Sequence, residues 1–473
     1  MAEIPQADVI VIGSGPNGLA AAIRMRQAGY SVCVVEGAPK AGGSCRTEQL
    51  TLPDFLHDVC SAVFPLAAAS PFFLSLPLEK HGLQWIDSPA CLAHPLDQSA
   101  PALLWPDLQK TLGSLPDDSG NYRHVIRELL PFSSQLFAEI LAPVHFPSHP
   151  ALLVRFGMKA IRSAEALGKN LFSTQRGQAL FAGLAGHSFL RLDQLASGAI
   201  GLVLAVAAHY RGWPIAQGGA QSITNALLSH FQSLGGTVLL DTRVNSLSQL
   251  PPARAILADV PPRELARIAG DRLPARFRRK LEKFRHGPAA YKIDWALSAP
   301  IPWAAPECSQ AATVHLGGNF AEIAASERAV AEGKVVERPF VLLSQPGLFD
   351  STRAPAGCHT AWAYCHVPNG YDSPVEHLIE NQVERFAPGF RKLVLARSIL
   401  NPKALQEHNP NLVGGDISGG SLDLGQLLTR PTNLLYRTPI NNLYLCSSST
   451  PPGPGVHGMC GYFAAGTALR RMS

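Results

Sequence analysis

The sequence predicts an α/β protein in which a parallel sheet is assembled from separated stretches of chain, with an α+β unit inserted between them. Three observations predict it. Asp8 to Glu36 reads as strand, glycine turn, helix, strand and acid in one unit. Strand patterns return near residues 237–260 and again at Leu443-Tyr444-Leu445-Cys446. Between them the periodicity is first mainly helical, then alternating.

The first unit opens with Val9-Ile10-Val11-Ile12, an apolar β-branched run of buried-strand length. Gly13-Ser14-Gly15-Pro16-Asn17-Gly18 follows, a G-x-G-x-x-G. Leu19, Ala22 and Ile23 then share one face of a helix, with Arg24, Arg26 and Gln27 pointing away. Gly29 stops the helix, and Ser31 to Val35 forms a second strand ending on Glu36. In such a unit Gly13 permits the tight turn, Gly15 lets backbone approach a pyrophosphate, and Gly18 allows close helix–strand packing. The helix N-terminus offers free N–H groups to phosphates, and Glu36 stands where a carboxylate accepts ribose hydroxyls. Strand, glycines, helix, strand and acid together therefore predict dinucleotide binding.

The chain has 473 residues, enough for two or three domain-sized units. With 46% hydrophobic and 16% charged residues it forms a large core. Its net charge of +5 is mild and contains no basic run, which argues against nucleic acid and leaves contact with an anionic membrane surface open. Nine cysteines show neither C-x-x-C nor metal-ligand spacing, so reduced thiols and no metal are expected. The motif begins near Met1, so no cleavable signal peptide is expected before it, and the expected location is cytoplasmic, with membrane association as a variant.

Within Thr51 to Phe64, His57 and Asp58 interrupt an apolar segment, either lining a cavity or pairing within a turn. Pro89 to Pro116 reads as loops and short strands. Tyr122 to Tyr210 is mainly helical, and Ala196 to Ala208 is a small-residue apolar run too short to span a bilayer. It reads as a buried helix; the sharper alternatives are a cavity wall or a membrane-dipping element. After Gly212-Trp213-Pro214-Ile215-Ala216-Gln217-Gly218-Gly219 a helix is expected from about Ser222, then strands at Thr237 to Leu240, from Thr242, and at Ala255 to Val260. Tyr291, Ile293, Trp295 and Leu297 alternate with Lys292, Asp294 and Ala296, predicting a half-buried strand. Further strands are expected at Phe340 to Leu343 and Thr360 to Tyr364. No second strand–G-x-G-x-x-G–helix unit occurs. At the end, a strand, the loop Ser447 to Gly455, and a helix expected to start at Val456-His457-Gly458 form another anion- or dipole-binding arrangement.

Ile10 to Gly18, Glu36, Gly42 to Thr47, Gly212 to Gly219 and Cys446 to Gly461 together resemble the phytoene-desaturase-like FAD oxidoreductases. Within that family the chain is most similar to the phytoene dehydrogenase-related, or pyridine nucleotide-disulfide oxidoreductase domain, subgroup. Gly212 to Gly219, Arg353 to Gly357, Glu384 to Phe390 and Pro452 to Gly461 look like subgroup signatures. The resemblance implies a discontinuous glutathione-reductase-like (Rossmann-type) FAD-binding domain from residues 1–90, 210–270 and 425–473. An α+β substrate domain would comprise residues 91–209 and 271–424, its helical part a lid or a membrane-facing element.

The resemblance also implies roles. Gly13, Gly15 and Gly18 would meet the pyrophosphate, Glu36 the ribose, Gly43, Ser44 and Arg46 the loop beside the FAD, and Val244 the adenine. Ser448, Val456, His457 and Gly458 would meet the ribityl and isoalloxazine end. There are two departures: Ser447 to Ser449 stand where many relatives carry an acid, and Pro454 removes a backbone donor. The implied activity is dehydrogenation or desaturation of a hydrophobic substrate, a polyene isoprenoid being the family's best-known type, with oxygen or a quinone as electron acceptor. His457 is the first candidate for polarising or carrying a proton, and Gln217 and His57 follow. An amine or amino-acid oxidase, a flavin-dependent isomerase and a non-catalytic flavin-holding protein remain as alternatives.

Overall fold

The computed structural model describes residues 3–427 and 429–472. In chain order, β1 (Val9–Ile12), α1 (Pro16–Gln27) and β2 (Val32–Val35) form the first unit. The strands β3 (Ala90–His94) and β4 (Ala102–Leu104) follow. Then come the helices α2 (Ser133–Ile140), α3 (Pro150–Ala160), α4 (Gln175–Gly186), α5 (Gly198–Arg211) and α6 (Ala220–Ser233). Next are β5 (Thr237–Leu239), β6 (Ala255–Ala258), β7 (Ala289–Leu297), β8 (Ala311–Leu316), β9 (Val341–Ser344), β10 (His359–Val367) and β11 (Val394–Leu400). The chain closes with β12 (Leu443–Leu445) and α7 (Met459–Met472).

One sheet has the order β12-β6-β1-β2-β5 and is parallel throughout, with Val9 opposite both Val32 and Ala255. The expected α/β, Rossmann-type architecture is therefore present. β1, β2 and β6 are fully buried, as continuous apolar runs between two helical layers must be. Each such Val or Ile contributes about 1.5–3 kcal/mol relative to exposure. α1 packs closely against the C-terminal helix α7: a side chain at Gly461 would reach 1.8 Å from the Asn17 carbonyl oxygen, so this crossing requires glycine. That contact brings the two ends of the chain to one place.

The second sheet has the order β11-β7-β10-β9-β8-β3-β4 and is antiparallel except for β8 against β3. Every residue of β7 is buried, so the alternating strand is covered on both faces, not half-buried as expected. The two faces still differ: Ile293 and Trp295 enter an apolar core with Phe390, whereas Lys292 borders a cavity. The stretch from Thr242 is not a strand. It is tied back instead by the Thr242 N–H, which donates to the Glu36 carbonyl at 2.8 Å. The final helix begins at Met459, three residues later than expected. The apolar run after Ala196 becomes α5, which packs on α3 and α4. Among the described residues no helix is long and apolar enough to cross a membrane.

A buried ionic network holds the joining segments. Arg353 donates to Asp58 at 2.6 Å and to Asp350 at 3.0 Å. Asp58 also accepts from Thr47 Oγ1 and the Ala220 N–H, both at 2.7 Å, and Asp350 accepts from the Gly218 N–H at 2.7 Å. Asp58 is thus a structural anchor, fully satisfied as a buried charge must be.

Candidate active site: a cavity between the two sheets

One cavity of about 630 Å³ runs from the glycine turn after β1 to the inner face of the second sheet. At its first end stand Gly13, Ser14, Gly15 and Pro16, the turn that leads into α1. A side chain at Gly18 would reach 2.1 Å from the Gly13 carbonyl oxygen, so the turn folds onto the first helical turn as the motif requires. Gly18 itself lies beneath this wall and does not border the cavity.

Glu36 leaves β2 and turns back toward the glycine turn. Its Oε2 accepts from the Ser14 N–H at 2.8 Å and the Ser14 hydroxyl at 2.6 Å, and its Oε1 accepts from the Ala38 N–H at 2.9 Å. Gly43, Ser44, Arg46 and Val244 border the same stretch of cavity. Ser44 accepts from Asn409 Nδ2 at 2.8 Å, and Arg46 contacts His408, so the short helix Pro402–His408 and its C-terminal turn brace this loop.

Sequence reasoning missed Asp259, which follows β6. Its Oδ2 accepts from the Gly18 N–H at 3.0 Å and would meet a side chain at Gly15 within 2.7 Å. Burial, with Glu36 nearby, raises its pKa to about 7. Only the strand-tip position after an apolar run marks it in the sequence.

The other half of the cavity is apolar and aromatic. Phe64, Phe189, Leu204, Trp213 and Leu342 border it, Leu204 coming from α5. Lys292, Trp362 and Tyr364 close it. The Trp362 and Tyr364 rings stack at 5.7 Å, and the Lys292 ammonium lies 5.3 Å from the Trp362 ring centre. Lys292 is almost fully buried and ion-paired with Asp294, whose pKa burial raises to about 6. His187 also borders the cavity; its Nε2 lies 3.0 Å from that of His315 on β8. Burial lowers the His187 pKa to about 3, so the pair is neutral at pH 7.

The structure brings together Gly13, Gly15, Glu36, Gly43, Ser44, Arg46, Val244, Ser448 and Val456 around this cavity. It leaves His457, Gly458, Gln217 and His57 outside its wall. His457 is fully buried; its Nδ1 accepts from the Met459 N–H at 3.0 Å and its Nε2 lies 3.2 Å from the Gly453 carbonyl. Both nitrogens are engaged and burial lowers its pKa to about 4, so it shapes the loop before α7 and has no contact with the cavity. Gln217 is exposed. His57 is buried, with Nε2 2.7 Å from Thr51 Oγ1 and Nδ1 3.6 Å from Asp294 Oδ1, so it acts behind Lys292 and not on the cavity. Among the described residues no cluster of three His, Cys, Asp or Glu could hold a metal, and all nine cysteines are free thiols.

Residues 11–73 match the family model described as an NAD(P)-binding Rossmann-like domain. The chain is 26% identical to pyridine nucleotide-disulfide oxidoreductase domain-containing protein 2 of Rattus norvegicus, covering 98% of this chain and 94% of the relative. It is 23% identical to the lycopene-forming phytoene desaturase of Pseudescherichia vulneris, covering 95% and 96%. The fold is shared with putrescine oxidase solved with putrescine bound, at a TM-score of 0.62, 17% identity and coverage of 98% and 99%. The full-length similarity is the one the motifs suggest, and it spans both sheets.

Proposed function

We propose that this chain is an FAD-dependent oxidoreductase that dehydrogenates a hydrophobic substrate. The single observation that carries the reading is the continuity of the cavity. One space joins a pyrophosphate-type glycine turn to an apolar, aromatic chamber. A cofactor gripped at the turn and a substrate held in the chamber would therefore meet without crossing solvent. The likeness to a phytoene desaturase along the whole chain supports the same reading.

The residues present fit a flavin dinucleotide. The turn is built so closely that Gly18 tolerates no side chain, and Gly15 and Asn17 at the N-terminus of α1 border the cavity end. Glu36 holds Ser14, and through it the turn, while Gly43, Ser44, Arg46 and Val244 border the adjoining space. Ser448, Pro454, Gly455 and Val456 border it from the C-terminal loop. A bound isoalloxazine supplies the acceptor for a hydride equivalent.

What the chain itself does follows from the chamber. Phe64, Phe189, Leu204 and Trp213 exclude water and orient an apolar chain by contact alone. Lys292 is the cation held in this part of the cavity, and its pairing with Asp294 fixes the ammonium against Trp362. It is placed to steady negative charge that develops during transfer, in a desolvated space where such a charge counts most. Burial keeps the His187–His315 pair uncharged, so it adds a polar but neutral patch to the chamber wall. A polyene isoprenoid suits the chamber's composition. An amine would carry its positive charge toward Lys292, which disfavours the oxidase alternative despite the shared fold.

Anaerobic mixing of the yellow protein with candidate apolar alkenes tests the reading. Bleaching of the flavin band by a polyene, and none by simple amines, is the expected outcome; bleaching by amines alone would overturn it.

A further inference from the structure

The most exposed large apolar side chains of the molecule gather along one edge of the helical layer. Phe146 is 92% exposed and Val144 76%, and Val154, Met158, Ile161 and Leu195 are each 55–62% exposed. Val154, Met158 and Ile161 recur at helical spacing along the outer side of α3, whose inner side buries Leu152, Phe156 and Ala160. The helix is thus apolar on both faces, which a surface helix in water is not. Leu195 extends the stripe, because the Ala196 N–H donates to the Ile161 carbonyl at 2.9 Å.

The tip of the stripe is held in shape. Buried Glu139 accepts from the His149 N–H at 2.9 Å and lies 3.0 Å from His145 Nε2. A buried carboxylate thus clamps both sides of Phe146 and thrusts the ring outward, a protrusion and not a groove.

We propose that this edge docks on an anionic lipid surface, with Phe146 and the outer side of α3 lying among the acyl chains near the headgroups. Charge complementarity selects this occupant. Among the described residues, Arg155, Lys159 and Arg162 flank the stripe with a single carboxylate, Glu128, facing them: it pairs with Lys159 at 3.0 Å and also attracts Arg155, while Arg162 has no ion-pair partner. Long basic side chains beside an apolar stripe meet headgroup phosphates while their stems cover apolar surface. A second copy docked through the same patch would set these cations against themselves. The inner side of α3 packs on α5, and Leu204 of α5 borders the cavity, so the docked edge lies one helix away from the chamber. Supply of an apolar substrate from the lipid rests on the proposed function; the docking itself does not.

The test is cosedimentation of the purified full chain with vesicles of phosphatidylcholine mixed with phosphatidylglycerol, and with phosphatidylcholine alone. The mixed vesicles should retain the protein, and raised salt should weaken retention. The double variant F146D/M158D should lower retention at least about tenfold, and R155E/R162E should lower it on mixed vesicles, with the FAD spectrum of each unchanged. Phe146 and Met158 are exposed, so folding is spared in F146D/M158D; a colourless wild-type protein that still binds vesicles would count against the flavin reading alone. No retention by mixed vesicles, retention unchanged in F146D/M158D, or a dimer in sedimentation equilibrium that F146D/M158D dissociates would overturn the proposal.

Discussion

Glu36 Oε2 accepts both the backbone N–H and the hydroxyl of Ser14, at 2.8 and 2.6 Å, so the acid after the second strand directly sets the glycine turn after the first. The expected direct role of Glu36 toward a ribose is joined by this second one. E36A should leave Ser14 without its partner and loosen the turn. The two charge-assisted hydrogen bonds from Ser14 are lost, with a third from the Ala38 N–H, so FAD affinity should fall about 10- to 100-fold. Flavin fluorescence quenching measures it; unchanged affinity would remove Glu36 from the site.

Asp259 makes cofactor retention depend on pH. Burial raises its pKa to about 7, so its protonated form is favoured in the folded chain. That stabilisation is complete below the ordinary carboxylate value and is lost as pH rises through about 7. The ionised form also repels a diphosphate at the α1 N-terminus. Thermal stability should therefore decline from about pH 4 to pH 7, and FAD retention should decline as the folded carboxyl ionises, between about pH 6 and pH 8. D259N should flatten the FAD profile across that range; a profile as steep as wild type would clear Asp259 of the effect.

Lys292 can be separated from its ion pair. K292M should retain FAD while slowing anaerobic flavin reduction by at least about tenfold, the scale of one lost charge contact in a desolvated site. Asp294 would then lack its cation, and stability should fall. K292M/D294N should recover the melting temperature and not the rate. Recovery of both would make Lys292 a structural residue only.

His457 provides the contrasting case. Its Nδ1 accepts the Met459 N–H at the start of α7, a role an Asn side-chain oxygen can fill. H457N should keep most of the reduction rate, and H457A should lower stability by about 1–2 kcal/mol. A collapse of the reductive rate in a folded H457N would restore a chemical role.

The part of the site made by one local stretch was legible in the sequence. Gly13, Gly15 and Glu36 lie within a single βαβ unit, where spacing alone dictates their meeting. Ser448 and Val456 could be placed beside them only through the family resemblance, because the α1–α7 crossing that joins the chain ends shows in sequence merely as one glycine, Gly461. Lys292 was visible as the odd partner of an alternating strand. Alternation says which side chains share a face, not what covers that face, and here the cover is a cavity. His457 misled because a loop before a helix looks the same whether its imidazole faces out or caps inward. The false strand at Thr242 to Val244 has β-branched ends, but its bonds go to the turn after Glu36 and to no neighbouring strand.

Titration of flavin-free protein with FAD and with FMN, followed by quenching of flavin fluorescence, tests the central claim most directly. A cofactor gripped between the Gly13–Glu36 turn and the Ser448–Val456 loop should bind as one FAD per chain. FMN, which lacks the adenosine half, should bind at least about a hundredfold more weakly. Absence of FAD binding, or equal affinity for the two flavins, would contradict the account.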